Sequence, residues 1–386
     1  MRKKIKIATK TRGFWQHLSN YEQKQFELSL EKNYEIANNN SFINSIAKSK
    51  LFDYLGIIQV ISSDNVDCDF FGSFNRFLDV NKNYFIYVEN PTALYHYRTK
   101  RGTTFLGRRK IEKCAKNKQL KAIVCMSKAC ETTFDSLCFN TKNKEMLKTT
   151  IYPLVPKNKY VTNQIIKERC FQDELKLLYI AQGTRFISKG FLNILEMLKR
   201  MEGEGSTNIL LTVVTQITCI PFDILSEINS MKSIKLIDFT LSYDEMEQLY
   251  TEHSVLIYPT SDDSYSLTVL EAIKAGLPVI STRLYAIPEM VKDNINGFLT
   301  EPQWYFFDKN NIPNSTVWND RENTIYSRQV SNDIVNFLID KVSLLNDNRQ
   351  KLEEMSLNSL ELANNKPFNE DYIISQWDEV IEKLQE

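Results

Sequence analysis

Short apolar runs and amphipathic segments alternate along the whole chain. Val255, Leu256, Ile257, Tyr258 and Pro259 form a run with the length and residue types of a buried parallel strand, and the polar residues 260–264 end it. Ser266 then stands as an N-cap, Leu267, Leu270 and Ile273 recur at helical spacing, and Gly276 with Pro278 stops the helix before a second apolar run. Residues 175–181, 208–215 and 233–238 read as further strands of the same half. In the first half, strands are expected near 4–8, 56–62, 84–89, 122–126 and 150–154, the fourth leading to a helix capped by Ser127. This alternation predicts an α/β protein with two doubly wound domains, residues 1–165 and 166–366, followed by a last helix within 367–386.

The helix that starts after Ser266 faces the carboxyl end of a parallel sheet. Its first amides, those of Leu267, Thr268 and Val269, have no intrahelical partner, and with the helix dipole they make a site for a phosphate anion. Glu271 lies one turn on, where an ionised carboxylate can accept hydrogen bonds from two neighbouring ribose hydroxyls. Asp263, three residues before the cap, approaches the other end of such a ligand. Read plainly, Glu271 is a solvated helix residue and Asp263 an acidic loop residue.

A second constellation lies upstream. The strand at 175–181 is followed by Gly183, Thr184, Arg185, Phe186, Ile187, Ser188, Lys189 and Gly190, and then by an amphipathic segment. Strand, glycine turn, cations and helix follow in that order. Phosphoryl oxygens are held by point charges and bidentate forks, which Lys and Arg supply, although surface cations near a helix start are also common.

Taken together, these residues resemble the donor site of retaining glycosyltransferase family 4. That family's signature is a Glu, seven residues, and a second Glu within Leu-Glu-Ala-Met-Ala-x-Gly-x-Pro-Val; here Asp263 precedes Glu271 within Leu270-Glu271-Ala272-Ile273-Lys274-Ala275-Gly276-Leu277-Pro278-Val279. The likeness runs over about 60 residues, from the acidic segment at 241–250 to Ile287-Pro288-Glu289 and Asn296-Gly297-Phe298-Leu299. It implies a GT-B fold, two Rossmann-like domains facing across a cleft, with the last helix crossing back onto the N-terminal domain. It further implies that Lys189 and Arg185 hold the donor diphosphate, that Gly183, Ser266, Leu267, Thr268 and Glu271 bind the donor, and that Asp263 orients the donor sugar. Departures are visible too. Asp263 replaces a Glu, Ser264 and Leu284-Tyr285-Ala286 stand where glycines are usual, and the family's Arg position falls on Thr184, one place before Arg185.

The resemblance also assigns acceptor binding to the N-terminal domain. Gly13 is the one glycine in the first strand-to-helix loop, where the resemblance implies glycines that admit the donor phosphates or the acceptor, which makes it a candidate donor-binding residue; Glu89 occupies the position where many relatives place a His near the donor sugar, and a strand-end residue is the equal alternative. His17 and His96 are candidates for substrate contact or for packed core residues. Asp67-Cys68-Asp69 spells a metal-binding Asp-x-Asp, but it lacks the buried strand expected before it and the donor site uses amides and cations. No cofactor and no metal is therefore expected.

Composition and charge complete the reading. The 386 residues, 42% of them hydrophobic, suffice for two cores. No apolar run approaches the roughly 18 residues of a spanning helix, and the basic start is interrupted at Lys6, so no signal-peptide core is read there. Seven cysteines without a Cys-x-x-Cys pair point to a reducing compartment and away from zinc. The expected location is cytoplasmic, at the inner face of the cell membrane. Net charge is zero but divided: residues 1–160 hold 28 Lys and Arg against 14 Asp and Glu, and the rest hold 20 against 34. Residues 98–121 carry ten cations and one acid, Glu112, interleaved with Phe105, Leu106 and Ile111. That composition suits an anionic membrane surface or a solvated helix face, and no nucleic-acid motif accompanies it.

The expected activity is transfer of a sugar from a nucleoside diphosphate, UDP on family frequency, to a hydroxyl of a glycan or lipid-linked acceptor, in bacterial surface polysaccharide synthesis. A second reading stays open: a catalytically silent subunit of the same fold that binds glycan or supports a partner enzyme. The aromatic insertion at 301–329 has no assigned role.

Overall fold

The computed structural model describes residues 2–22, 24–30, 50–63, 67–138 and 146–386. Its packing separates two units, Met1–Leu154 with Asp308–Ser315 and Glu370–Glu386, and Val155–Phe307 with Thr316–Asn369. The boundary expected near 165 falls inside the helix Asn163–Cys170 of the second unit.

The first unit contains strands β1 (Lys3–Ile7), β2 (Phe26–Leu30), β3 (Val60–Ser62), β4 (Phe70–Phe74), β5 (Phe77–Asp79), β6 (Tyr84–Val88), β7 (Leu120–Cys125) and β8 (Leu147–Thr150). Six of them form a parallel sheet in the order β2-β1-β4-β6-β7-β8, while β3 and β5 pair separately. The central strand β6, Tyr-Phe-Ile-Tyr-Val, is buried at every position, as a strand covered on both faces must be. Trp15, Phe85, Tyr87 and Trp377 pack around it, with Trp377 supplied by the closing helix Glu370–Leu384 and its ring 5.1 Å from Phe85 and 5.2 Å from Tyr87. Ser127 caps the helix Lys128–Leu137 by accepting the Cys130 amide at 3.0 Å, as the sequence predicts.

Three sequence expectations need correction here. The strand expected over 56–62 shrinks to β3, because Gly56 takes φ +63° and ends the helix Lys50–Leu55 in the left-handed conformation. The last strand lies at Leu147–Thr150, before the expected 150–154. Strands β2, β4 and β5 were not expected; β2 alternates and β4 carries a central Gly72, so neither shows a continuous apolar run.

The second unit holds β9 (Leu175–Ile180), β10 (Ile209–Thr215), β11 (Ile234–Asp238), β12 (Val255–Tyr258), β13 (Val279–Thr282) and β14 (Gly297–Thr300), all parallel, in the order β11-β10-β9-β12-β13-β14. The chain builds outward from β9 to β11, then returns to place β12 on the other side of β9. Strand order therefore reverses between β9 and β12, where Leu177 pairs with Val255. In doubly wound sheets the crevice at such a reversal, beyond the carboxyl ends of the strands, is where ligands bind.

Candidate functional site

A cavity of about 250 Å³ opens at this reversal, lined by Ile180 at the end of β9, Val214 near the end of β10, Phe239 and Leu241 after β11, and the start of the helix Leu267–Lys274. Most of its wall is apolar. Glu271 is the exception that matters, with Leu267 and Thr268 on the same wall one turn earlier. Ser266 caps this helix, its Oγ accepting the Val269 amide at 3.4 Å. The Val269 amide is thereby engaged, contrary to the expectation that three amides stay open, and those of Leu267 and Thr268 remain as the first-turn donors.

Glu271 is partly buried and its Oε2 accepts the Tyr250 hydroxyl at 2.8 Å. Burial raises its carboxyl to about 7; the Tyr250 hydrogen bond works against that rise, and the neighbouring Glu247 carboxylate adds to it. Tyr250 comes from the helix Tyr243–Glu252, fixed at its start by a capping box: Ser242 Oγ accepts the Glu245 amide at 3.3 Å and Glu245 Oε2 accepts the Ser242 amide at 2.7 Å. Asn158 holds the other end of that helix through the Glu247 carbonyl at 2.8 Å and the Thr251 hydroxyl at 3.2 Å. A carboxylate in a mostly apolar hole, beside two helix amides, has hydrogen-bond capacity left for a ligand that brings hydroxyls and phosphate.

The other predicted residues form a second cluster. Lys189 and Asp263 are both buried, and Lys189 Nζ lies 2.7 Å from Asp263 Oδ2. Lys189 also donates to the Asp262 carbonyl, and the same Asp263 oxygen accepts the Tyr258 hydroxyl at 2.9 Å. Ser188 Oγ donates to Asp262 Oδ2 at 3.0 Å and the Ser261 amide to the Ser188 carbonyl at 3.0 Å, which ties the cation loop to the acidic loop. Gly190 completes the join: it sits at φ +89°, and a Cβ there would meet the Pro259 carbonyl oxygen at 2.2 Å.

Arg185 ends the short turn Gly183–Arg185 with its side chain exposed, near enough to Tyr326 to affect its ionisation. Gly183 is buried, and a Cβ there would strike Gln216 and Cys219 at 2.7 Å, so its close approach is to the neighbouring turn Ile217–Cys219. Sequence reasoning missed Tyr250 and Tyr258. Tyr258 read as one more apolar strand residue, and nothing in the pattern marks a phenol that crosses to a carboxylate five residues away.

In the first unit, Glu89 directly follows β6 and is buried, its carboxylate 2.9 Å from Arg12 Nη1 and accepting the Tyr97 hydroxyl at 2.7 Å. Its amide donates to Asn75 Oδ1 at 3.0 Å. Gly13, beside Arg12, has open space where a Cβ would stand. His96 accepts the Gln59 amide on Nε2 at 2.8 Å; burial, then Arg76 and Arg101, lower it to about 3, so it is a neutral acceptor. His17 is lowered by burial as well. Asp67 and Asp69 both serve Lys4, at 2.9 Å to its Nζ and 2.8 Å to its amide. Among the described residues no group of three or more metal-ligating side chains assembles.

The insertion packs inward. Phe306 stacks on Trp318 at 4.0 Å and Phe307 on Tyr285 at 3.9 Å. Tyr285 holds φ +49°, a left-handed backbone at the place where a glycine is usual in the family, and the stack on Phe307 offsets that strain.

Residues 174–305 match the family model described as glycosyl transferases group 1, a span that contains both clusters of the second unit. Over that span the chain is similar to the group 1 glycosyltransferases. Over 66 residues the chain is 36% identical to a sulfoquinovosyl transferase of Arabidopsis thaliana, covering 16% of this chain and 13% of that one. A further match, 26% identical over 161 residues, is to the lipopolysaccharide glucosyltransferase WaaG of Escherichia coli K12, covering 41% of this chain and 42% of the relative. These matched stretches span less than half of either relative. At the level of fold, the similarity extends beyond the matched span: Anabaena HepE in complex with UDP and glucose aligns with a TM-score of 0.60 at 13% identity, over 99% of this chain and 100% of that one. The WaaG structure aligns with a TM-score of 0.58 at 14% identity, over 98% of this chain and 99% of that one. The architecture is GT-B, as the sequence resemblance implies. Among the described residues no helix is long and apolar enough to cross a membrane.

Proposed function

We propose that the protein is a retaining glycosyltransferase that moves a sugar from a nucleoside diphosphate, UDP in first place, to a hydroxyl of a glycan or lipid-linked acceptor in bacterial surface polysaccharide synthesis. The observation that carries this reading is Glu271, set with the open amides of Leu267 and Thr268 in an apolar cavity at the strand-order reversal. The base fills the apolar part, Glu271 accepts from the ribose hydroxyls, and the amides receive the diphosphate. Lys189, with Arg185 beside it, neutralises the charge that grows on the leaving diphosphate, and Asp263 orients the donor-sugar hydroxyls. The acceptor hydroxyl attacks the face from which the diphosphate leaves, and a leaving phosphate oxygen takes its proton. Glu89, held by Arg12 and Tyr97, is the first unit's candidate for substrate contact. Similar folds solved with UDP and glucose, and with UDP-glucose, support the choice of nucleotide.

The silent-subunit reading draws on the Lys189–Asp263 pair, because a cation already neutralised at 2.7 Å gives less to an incoming diphosphate. Calorimetry with UDP-, GDP- and ADP-sugars separates the two. Micromolar to millimolar binding of one of them, lost in Glu271→Ala, supports the transferase. Binding of none of them leaves the silent subunit.

A further inference from the structure

The aromatic insertion is fastened to both loops of the second cluster. Its two ends meet where Gln303 Nε2 donates to the Gln329 carbonyl at 3.0 Å, and Asn193 on the helix Phe191–Gly203 accepts the Ser331 amide at 2.8 Å. The Trp304 amide donates to Ser261 Oγ at 3.2 Å, so the start of the insertion rests on the acidic loop. Near its end, Ile325 and Ser327 line a small cavity together with Ser188 and Gly190 of the cation loop and Ser261 of the acidic loop. Ile325 is buried there.

Between those two anchored residues stands Tyr326. Phe306, Phe307 and Trp318 are buried and stacked, and Tyr305 gives its hydroxyl to Glu301, so these aromatic groups are taken up by the protein itself. Tyr326 differs from them. It is half-buried, its amide is fixed on the Arg321 carbonyl at 2.9 Å, and among the described residues its hydroxyl makes no hydrogen bond. The charges it feels come from both loops, Asp262 from one and Arg185 from the other, beside Arg321 and Glu322 of its own segment. Burial and the Asp262 carboxylate raise the phenol above its ordinary range, so it stays a neutral group that can both donate and accept.

We propose that Tyr326 contacts the transferred sugar of the donor, so that the insertion supplies part of the donor-sugar site; this rests on the sugar-transfer reading of the Lys189 and Asp263 loops. A phenol adds no charge with which to hold a diphosphate. Its hydroxyl instead donates to and accepts from sugar hydroxyls, and its ring offers an apolar face to the C–H groups of the sugar. Removing it should therefore separate two affinities that a loss of folding moves together, that for the nucleotide sugar and that for the free nucleoside diphosphate.

Calorimetry on the full-length protein with UDP-, GDP- and ADP-glucose and with UDP-N-acetylglucosamine selects the nucleotide sugar bound most tightly, which is then compared with its own nucleoside diphosphate. Tyr326→Phe, which keeps the ring, should weaken the nucleotide sugar about threefold to tenfold with unchanged melting, and Tyr326→Ala about tenfold or more. Affinity for the free diphosphate should stay within about twofold of the wild type in both variants. Losses of equal size for the nucleotide sugar and the diphosphate, or no loss in either variant, overturn the proposal and leave the sugar-transfer reading standing. A wild type that binds none of these nucleotide sugars overturns both.

Discussion

The second unit contains two acidic residues eight positions apart that have met opposite fates. Asp263 is buried against Lys189 and Tyr258, and its charge is answered inside the protein. Glu271 stands in the wall of a mostly apolar cavity with one phenol as partner, and its carboxyl is raised to about 7. Asp263 therefore meets a donor sugar as part of a structural ion pair, whereas Glu271 keeps hydrogen-bond capacity that only a ligand fills. On this reading the two carboxylates of the family signature do different work, and removing each should give a different kind of loss.

Lys189→Ala is expected to have the largest effect. It leaves Asp263 buried without its cation, which costs about 3–5 kcal/mol of stability, and it removes a diphosphate contact worth on the order of a hundredfold or more in turnover. Replacing both partners, Lys189→Met with Asp263→Leu, should recover most of the melting temperature and none of the turnover. Recovery of turnover would break the comparison, because the pair would then be structural alone. Glu271→Ala comes next: nucleotide affinity by calorimetry should fall about a hundredfold, as two charge-assisted hydrogen bonds are lost, with melting unchanged or raised.

The third prediction is a pH dependence. In the unfolded chain Glu271 titrates near its ordinary 4.5, and in the folded protein near 7, so the folded state holds the proton more tightly and stability without ligand falls as pH rises through that window. A ribose that donates to the carboxylate favours the ionised form. Affinity for UDP should therefore rise as pH approaches and passes 7, by at most tenfold per unit below it. Glu271→Gln should lose this slope while keeping any slope that belongs to the nucleotide phosphate; equal slopes in both proteins would detach the raised carboxyl from binding. The smallest effect is expected for Asp263→Glu. One more methylene in a closed cluster costs about 1–3 kcal/mol of packing, lowering the melting point by several degrees at most, and turnover should fall modestly. A gain in turnover would show that the site wants the longer reach.

The cavity helix was legible because its signals are local: an apolar run, a Ser cap, a 3–4 spacing and a Gly-Pro stop all fall within residues 255–280. Glu271, Leu267 and Thr268 follow from that geometry alone. The partners of those residues were not legible. Tyr250 reaches Glu271 and Tyr258 reaches Asp263 only after helices and strands are placed, and a Tyr in an apolar run carries no mark of the contact its hydroxyl will make. The same holds for Asp53, which lies far in sequence from Arg98 and Arg101, pairs with both and so changes what the basic stretch can do. In the first unit, β2 and β4 escaped because the central sheet there is built from short runs broken by Glu27, Ser29 and Gly72.

Gly190 has a consequence for how this protein tolerates change. Its backbone presses against Pro259, and the residue before it is the cation of the buried pair. Any side chain at this position must push either the strand end or the lysine out of place, so substitution should be punished as heavily as loss of the lysine itself. In a survey of random variants the position would stand out as forbidden although it offers no chemical group to anything. A glycine in a loop is usually taken as a sign of suppleness; this one is a sign of crowding, and it holds the lysine where the acidic loop can reach it.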